Sequence, residues 1–192
     1  GWVAILLVIV IVGAATYREY QKSLAETEAE LFGTSIIDAL NEKNEADRIL
    51  KLQKINPPGE NAKAIVAMLL SAEATGNESA TFKMSTLSNV TNSLSIDTQY
   101  RDLLNFKILL GSSEIMGLDE RMKSFEGLSK PGNPFRLLAE EQMALIELEL
   151  GNNDNAIEII SQILLDAELT AGLRNRATQM LIALGKDPEL IN

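Results

Sequence analysis

The chain has 192 residues, 46% of them apolar and 5% aromatic, with a formal net charge of −10 at neutral pH. This acidic balance argues against a nucleic-acid partner, for which a basic stripe is expected. The sequence contains no cysteine and no histidine, which excludes disulfides, thiol nucleophiles, the usual zinc ligands and the commonest general base. We therefore expect no cofactor, no metal site and no catalysis.

The chain opens with the uncharged run GWVAILLVIVIVGAATY, residues 1–17, which Arg18 follows at once. The run is too long for a core strand of about 4 to 8 residues. It predicts a single transmembrane helix of about 25 Å at 1.5 Å per residue. A cleaved signal peptide is the alternative, because the small residues Gly13, Ala14 and Ala15 resemble a cleavage site. The sequence does not begin with Met, so we expect further residues upstream.

Aromatic and basic residues at the ends of this run are predicted to lie at a membrane interface. They are Trp2, Tyr17, Arg18, Tyr20 and Lys22. Amphipathic aromatic rings favour the lipid headgroup layer, and long basic side chains reach lipid phosphates. The carboxylates that follow at Glu26, Glu28 and Glu30 would be repelled by anionic lipid, so the helix should leave the membrane there.

Helices are predicted throughout the rest of the chain, because apolar residues recur at helical spacing and strand alternation does not persist. Gly151 is placed as a C-terminal cap, Thr170 as an N-terminal cap, and KPGNP (residues 130–134) as a turn in which Pro134 begins a helix. Two predicted apolar faces consist of Ala156, Ile160, Ile163, Leu164 and Ala167, and of Leu173, Ala177, Leu181 and Leu184.

The breaks between apolar helices recur at a nearly constant interval. They fall at Asn41, Gly76, Gly111, Gly117, Gly151 and Gly185. Successive intervals are 35, 35, 34 and 34 residues if the segment GSSEIMG, from Gly111 to Gly117, holds an insertion of six residues. A helix–turn–helix period near 34 residues is typical of tetratricopeptide repeats. An irregular helical bundle with glycines at its turns is the alternative.

Small residues five positions after two of these breaks, Ala46 and Ala156, would let paired helices approach closely. Together the patterns predict an all-α fold with an N-terminal transmembrane helix, followed by a short solenoid of degenerate tetratricopeptide-like helical hairpins. The predicted domains are the transmembrane helix, incomplete at its N-terminus (1–17), a run-out helix with the first hairpin (18–56), the repeats (57–185) and a C-terminal tail (186–192).

This order of elements resembles the bacterial ancillary subunit of the SecYEG translocon and its alphaproteobacterial relatives. The stretches that carry the resemblance are YRDLLNFKILL (100–110), KPGNPFRLLAEEQMALIELELGNNDNAIEIISQILLD (130–166) and GLRNRATQMLIALG (172–185). The resemblance implies a protein of the inner membrane whose helical domain lies in the periplasm, near the protein-export machinery or envelope chaperones.

We therefore expect a non-catalytic, membrane-anchored scaffold for protein–protein interactions. Its expected location is the bacterial inner membrane, as a single-pass protein with a periplasmic soluble domain. The expected partners are the lipid bilayer and an integral membrane complex, the translocon or another, with polypeptide or chaperone as further partners. The alternative is an accessory or assembly subunit of another integral membrane complex, such as a respiratory or photosynthetic one.

Two arginines near the C-terminus, Arg174 and Arg176, are the candidate partner-binding residues, because an arginine can hold the carboxylate of an extended peptide with two hydrogen bonds. The alternative is that both pair with nearby carboxylates such as Asp166 or Glu168. The neighbouring acidic residues at positions 140 and 141 are interpreted as solvated helix surface, not as a catalytic carboxylate pair.

Overall fold

The computed structural model describes the backbone of residues 2–74, 79–93, 95–113 and 115–188, with side chains from residue 20 onward except those of residues 79 and 80. Its regular elements within these ranges are helices, without a strand, so the all-helical prediction is confirmed. The helices are α1 (Trp2–Leu40), α2 (Glu45–Lys54), α3 (Glu60–Glu73), α4 (Ser79–Thr91), α5 (Thr98–Leu110), α6 (Leu118–Leu128), α7 (Arg136–Glu149), α8 (Asn153–Leu165) and α9 (Ala171–Ala183).

The transmembrane part of the predicted fold class is corrected by the structure. Among the described residues, no helix is long and apolar enough to cross a membrane. The described side chains of α1 begin at Tyr20 and include Lys22 and the carboxylates of residues 26, 28 and 30, and charged side chains are costly in a bilayer. On this finding the predicted N-terminal transmembrane helix is wrong, and so is the predicted single-pass location in the inner membrane.

The residues predicted at a membrane interface divide into two groups. The side chains of Trp2, Tyr17 and Arg18 lie outside the described residues. Tyr20 and Lys22 are exposed on α1, where the Lys22 ammonium lies 3.9 Å from a carboxylate oxygen of Glu26, one helical turn away.

The chain divides into two compact units, Gly1–Ala74 and Thr75–Asn192. In the first unit, α2 packs on α1 and on α3. The sequence favours α2 locally, because the Asn44 side chain accepts a hydrogen bond from the Ala46 backbone N–H and opposite charges flank the helix ends. The core of this unit consists of Ala39, Leu52, Val66 and Leu70.

The second unit consists of consecutive helices in which each packs on the next along the chain. One core, the α5–α7 core, consists of Phe106, Leu109, Phe125, Leu128, Ala139 and Ile146. The other, the α7–α9 core, consists of Leu137, Ala144, Ile160, Ile163, Leu173, Ala177 and Leu181. Helix α7 contributes to both cores and is therefore buried on two faces.

Two helices of the second unit end in the same way, 34 residues apart. Gly151 and Gly185 have φ values of 81° and 72°, a conformation that glycine adopts without the penalty a Cβ brings. The backbone N–H after each glycine reaches back over the helix end, from Asn152 to the Glu147 carbonyl (2.8 Å) and from Lys186 to the Leu181 carbonyl (3.0 Å). These bonds form the same C-terminal capping motif twice, so the predicted interval has a structural basis here.

A deeply buried apolar residue lies in the first helix of each hairpin. The four are Leu52, Leu87, Phe125 and Ile160, each at most 2% exposed. The intervals between them are 35, 38 and 35 residues. The longer middle interval spans the predicted insertion, although three extra residues are half the predicted number. The hairpins are thus repeat-like and compatible with tetratricopeptide-like helices.

An ion pair also recurs at equivalent places in two hairpins. Arg48 is the fourth residue of α2, and its Nε donates to Oε2 of Glu73, the last residue of α3, at 2.6 Å. Arg121 is the fourth residue of α6, and its Nη1 donates to Oε2 of Glu149, the last residue of α7, at 3.3 Å. Each pair joins the open ends of the two helices of one hairpin.

The small-residue prediction holds at one position only. Ala156 is completely buried in α8, as close helix packing requires, whereas Ala46 is exposed. The repeat-equivalent position in α2 is the fourth residue, and the fourth residue there is an arginine. The predicted break at Gly76 lies outside the described residues.

Candidate protein-binding site

A cleft of about 380 Å³ lies in the second unit, beside the N-terminal ends of α7 and α9. Its floor is apolar, because Leu137 and Leu173 of the α7–α9 core and the half-buried Leu138 line it. Its remaining lining residues are Gly132, Asn133, Pro134, Arg136, Glu168 and Thr170.

One wall of the cleft is the turn before α7, which side-chain hydrogen bonds hold in place. The Asn133 Oδ1 accepts from the Phe135 backbone N–H at 2.8 Å, and its Nδ2 donates to Oδ2 of Asp102 on α5 at 3.2 Å. The Phe135 ring stacks on Phe106, with centroids 5.7 Å apart. The turn is therefore fixed to α5 as well as to α7, and α7 begins at Arg136, two residues after the predicted start at Pro134.

The opposite wall is the segment between α8 and α9, which its own side chains shape. Oδ1 of Asp166 accepts from the Glu168 backbone N–H at 2.9 Å, which forms a local turn. Oγ1 of Thr170 accepts from the Leu173 backbone N–H at 3.4 Å, so the predicted cap of the last long helix is confirmed. Each of these side chains therefore gives a hydrogen-bond partner to a backbone N–H group near the rim.

Arg136 joins the two walls at the rim of the cleft. Its Nη2 donates to Oδ2 of Asp166 at 2.8 Å and to Oε2 of Glu168 at 2.9 Å, and its Nη1 donates to Oε1 of Glu140 at 3.4 Å. One guanidinium therefore faces three carboxylates. Because the carboxylates outnumber the cation, the rim carries net negative charge.

The pKa values of the charged groups at this rim are shifted by their neighbours and by burial. The backbone N–H of Glu168 and the guanidinium of Arg136 lower the pKa of Asp166. Burial raises the pKa of Glu140, an effect that Arg136 opposes. The hydrogen bonds to Glu168 and then to Asp166 raise the pKa of Arg136 above its usual range, so its charge is constant.

This arrangement suits a ligand in which an apolar side chain lies next to a positive charge. The apolar floor would cover the side chain, and the acidic rim would attract a neighbouring lysine, arginine or amino terminus. The Arg136 guanidinium occupies the space among the carboxylates, and no cluster of acidic residues in the described part of the chain could hold a metal ion. An apolar floor beside an acidic rim is suited to a peptide segment that has an apolar and a basic side chain.

The two arginines predicted to bind a partner lie on α9 in different settings. The Arg176 guanidinium donates to both carboxylate oxygens of Glu141 on α7, at 2.6 and 2.8 Å. The Arg174 side chain is exposed and makes no hydrogen bond or ion pair with a described residue. The structure does not bring these two side chains together at one site, and neither lines the cleft. Partner binding by them stays a prediction.

Sequence reasoning missed two of the residues that organise this region. Arg136 takes the carboxylates of Asp166 and Glu168 that were expected near the α9 arginines. Glu141, interpreted as solvated surface, has a buried side chain, so that interpretation is wrong for it. The missed signal is spacing, because Glu141 and Arg176 have opposite charges and lie 35 residues apart, one repeat.

Comparison with known proteins adds no identity, since no family model, no curated protein and no solved structure matches the chain. The resemblance to the ancillary translocon subunit therefore stays a prediction.

Proposed function

We propose that this protein is a non-catalytic helical-repeat adaptor that binds an extended segment of a partner protein. The observation that supports it most is the packing of α7 on both faces, between two neighbouring three-helix cores. Stacked helical hairpins of this kind offer extended surfaces, which repeat proteins use to bind other proteins.

The cleft beside α7 is the proposed contact point. Its apolar floor and acidic rim would select a segment with one large apolar residue next to basic residues. The resemblance to translocon subunits adds unfolded polypeptide or a chaperone as candidate partners. The alternative, an accessory or assembly subunit of another integral membrane complex, stays a prediction.

The test uses the full chain and three labelled nonapeptides, with binding followed by fluorescence anisotropy. One peptide has a central leucine flanked by lysines, the second replaces the leucine with alanine, and the third replaces the lysines with glutamates. We expect the first to bind most tightly and both replacements to lower affinity about tenfold or more.

A pair of charge-reversed variants connects this binding to the cleft. The Glu168 side chain is 76% exposed at the rim, so Glu168→Lys should weaken binding of the first peptide without affecting folding. Glu126 is an exposed carboxylate of α6 outside the cleft, and Glu126→Lys makes the same charge change. Equal affinity in the two variants, or no preference for the leucine peptide, would refute the proposed site.

A further inference from the structure

The first unit carries an apolar surface that is separate from the cleft. Tyr20, Leu24 and Leu31 of α1 are 62%, 41% and 63% exposed. Their spacing of four and seven residues places them on one side of the helix. Helix α1 packs on α2 through other residues, Phe32 and Ala39. We name the exposed side, with the two threonines described next, the α1 stripe.

The α1 stripe has the spacing of a coiled-coil seam. Tyr20, Leu24, Thr27, Leu31 and Thr34 follow one another at intervals of four, three, four and three residues, which are alternating d and a positions of a heptad. Such a seam normally lies against a second helix, because side chains at these positions insert between those of the partner.

The two threonines in the α1 stripe are already satisfied by their own helix. The Thr27 hydroxyl donates to the Ser23 carbonyl and the Thr34 hydroxyl to the Glu30 carbonyl, each at 2.9 Å. A partner helix could therefore cover both side chains without leaving a buried hydroxyl unpaired.

A groove beside Leu31 extends this surface. Its volume is about 320 Å³, and one side consists of Glu28, Leu31, Phe32 and Ser35 of α1. The other side is the turn between α2 and α3, where Ile55, Asn56, Pro57 and Pro58 line it. Five of these eight lining residues are apolar, and the groove has space for one large side chain of the partner.

Charge at the edges of the α1 stripe identifies the kind of partner. Glu28 and Glu30 occupy flanking e and g positions, where coiled coils select partners by charge. The one cation among residues 20–40 is Lys22, at an outer position beside Glu26. A second copy of this chain would bring carboxylates to the flanks and no cation to meet them. We propose that the α1 stripe docks a basic amphipathic helix of a partner protein.

The test uses the full chain and a labelled designed 21-residue helix with leucine at a and d positions and lysine at e and g. A sister helix has glutamate in place of each lysine. We expect the lysine helix to bind and the glutamate helix to bind at least about tenfold more weakly, with the difference shrinking as salt screens the charges.

Two variants of α1 with the same added charge locate the binding. Leu31→Asp places a carboxylate in the stripe, and Ala29→Asp places one on the opposite, exposed side two residues away. Extra negative charge alone would strengthen binding of the lysine helix. We therefore expect Leu31→Asp to lower affinity about tenfold or more and Ala29→Asp not to lower it, with unchanged circular dichroism for both.

Three results would overturn the proposal. They are equal binding of the lysine and glutamate helices, equal affinity of the two α1 variants, and a dimer in sedimentation velocity that Leu31→Asp abolishes. The last result would assign the stripe to a second copy of the chain. Glu168→Lys should leave this binding unchanged, so the outcome is distinguishable from failure of the cleft proposal.

Discussion

Two arginines of α9, Arg174 and Arg176, lie two positions apart but differ in their contacts with the rest of the protein. The Arg176 side chain is 51% exposed but forms a two-pronged pair with Glu141, whose side chain is 8% exposed. Arg174 points its charge into solvent without a described partner. The stability of the second unit should therefore depend on Arg176 and very little on Arg174.

Arg176→Ala should lower the free energy of unfolding by about 1–3 kcal/mol, because it leaves a buried carboxylate without its partner. Arg174→Ala is the matched control and should change it by no more than about 0.5 kcal/mol. Urea denaturation measures both. In the double variant Glu141→Gln, Arg176→Ala, part of the loss should return, and equal losses for the two single variants would contradict this role.

Two carboxylates around Arg136 should respond to pH in opposite directions. The pKa of Asp166 is lowered in the folded chain, so its contribution to stability is present above the usual carboxyl range and is lost as pH falls through the folded pKa. The pKa of Glu140 is raised, so its contribution is present at acid pH and is lost as pH rises through the folded pKa.

At pH 7, Asp166→Asn should therefore lower stability and Glu140→Gln should raise it, each by up to about 1 kcal/mol, as is usual for ion pairs near a surface. The difference for Glu140→Gln should disappear below about pH 4, where carboxyl groups of ordinary or raised pKa are protonated. The difference for Asp166→Asn should shrink only at lower pH, because the folded pKa of Asp166 is lowered. Thermal unfolding at pH 7 and pH 3 measures them. The prediction fails if the two variants shift Tm in the same direction at pH 7.

At the scale of single elements, helix α7 belongs to both cores described in the second unit. Ala139 lies in the α5–α7 core and Ala144 in the α7–α9 core, and both are completely buried. Small side chains at these positions let α7 lie close to neighbours on both sides. A larger side chain at either position should therefore force the helices apart.

Ala139→Leu and Ala144→Leu should each lower the free energy of unfolding by about 1–3 kcal/mol, the usual cost of overpacking. Ala183→Leu, at the exposed end of α9, is the control and should have little effect. Chemical denaturation gives the values. If only one of the first two variants is destabilised, α7 is tightly packed on one face and not on two.

The sequence predicts the helices and their buried faces well, because helical periodicity is a local signal. Ala156, Ile160 and Ile163 are buried in α8 as predicted, and Gly151 follows the end of a helix as predicted. Ala167 of the same predicted face lies beyond the end of α8 and is exposed, so the prediction is wrong for it.

Burial of the α7 face that contains Leu137 and Ala144 was not predictable in this way, because Glu141 interrupts that apolar stripe. Its burial depends on Arg176, which lies 35 residues away and meets it only after folding.

On the scale of the whole chain, each of the two compact units has its own apolar packing among the described residues. The division at Ala74 falls inside the segment 57–185 that was predicted as one set of repeats. Periodicity cannot reveal such a division, because repeat-equivalent residues such as Leu52 and Phe125 look alike in sequence whichever core they join.

Leu52→Ala should lower the stability of the first unit by about 2–5 kcal/mol, and Phe125→Ala should do so for the second by about 3–5 kcal/mol. Hydrogen exchange should show faster opening of amides in residues 45–73 for the first variant and in residues 98–183 for the second. Uniformly faster exchange over both ranges in either variant would contradict separate cores.

Helix α7 also connects the cleft mechanically to a core on its far side. A helix that packs on both faces moves as a rigid unit. A peptide that displaces the first turn of α7 at Arg136 should therefore also disturb the packing around Ile146. Peptide binding in the cleft should therefore change the surroundings of the Phe106 and Phe125 rings, which lie edge to face with centroids 6.1 Å apart. The NMR chemical shifts of these two aromatic rings should therefore report whether a peptide occupies the cleft.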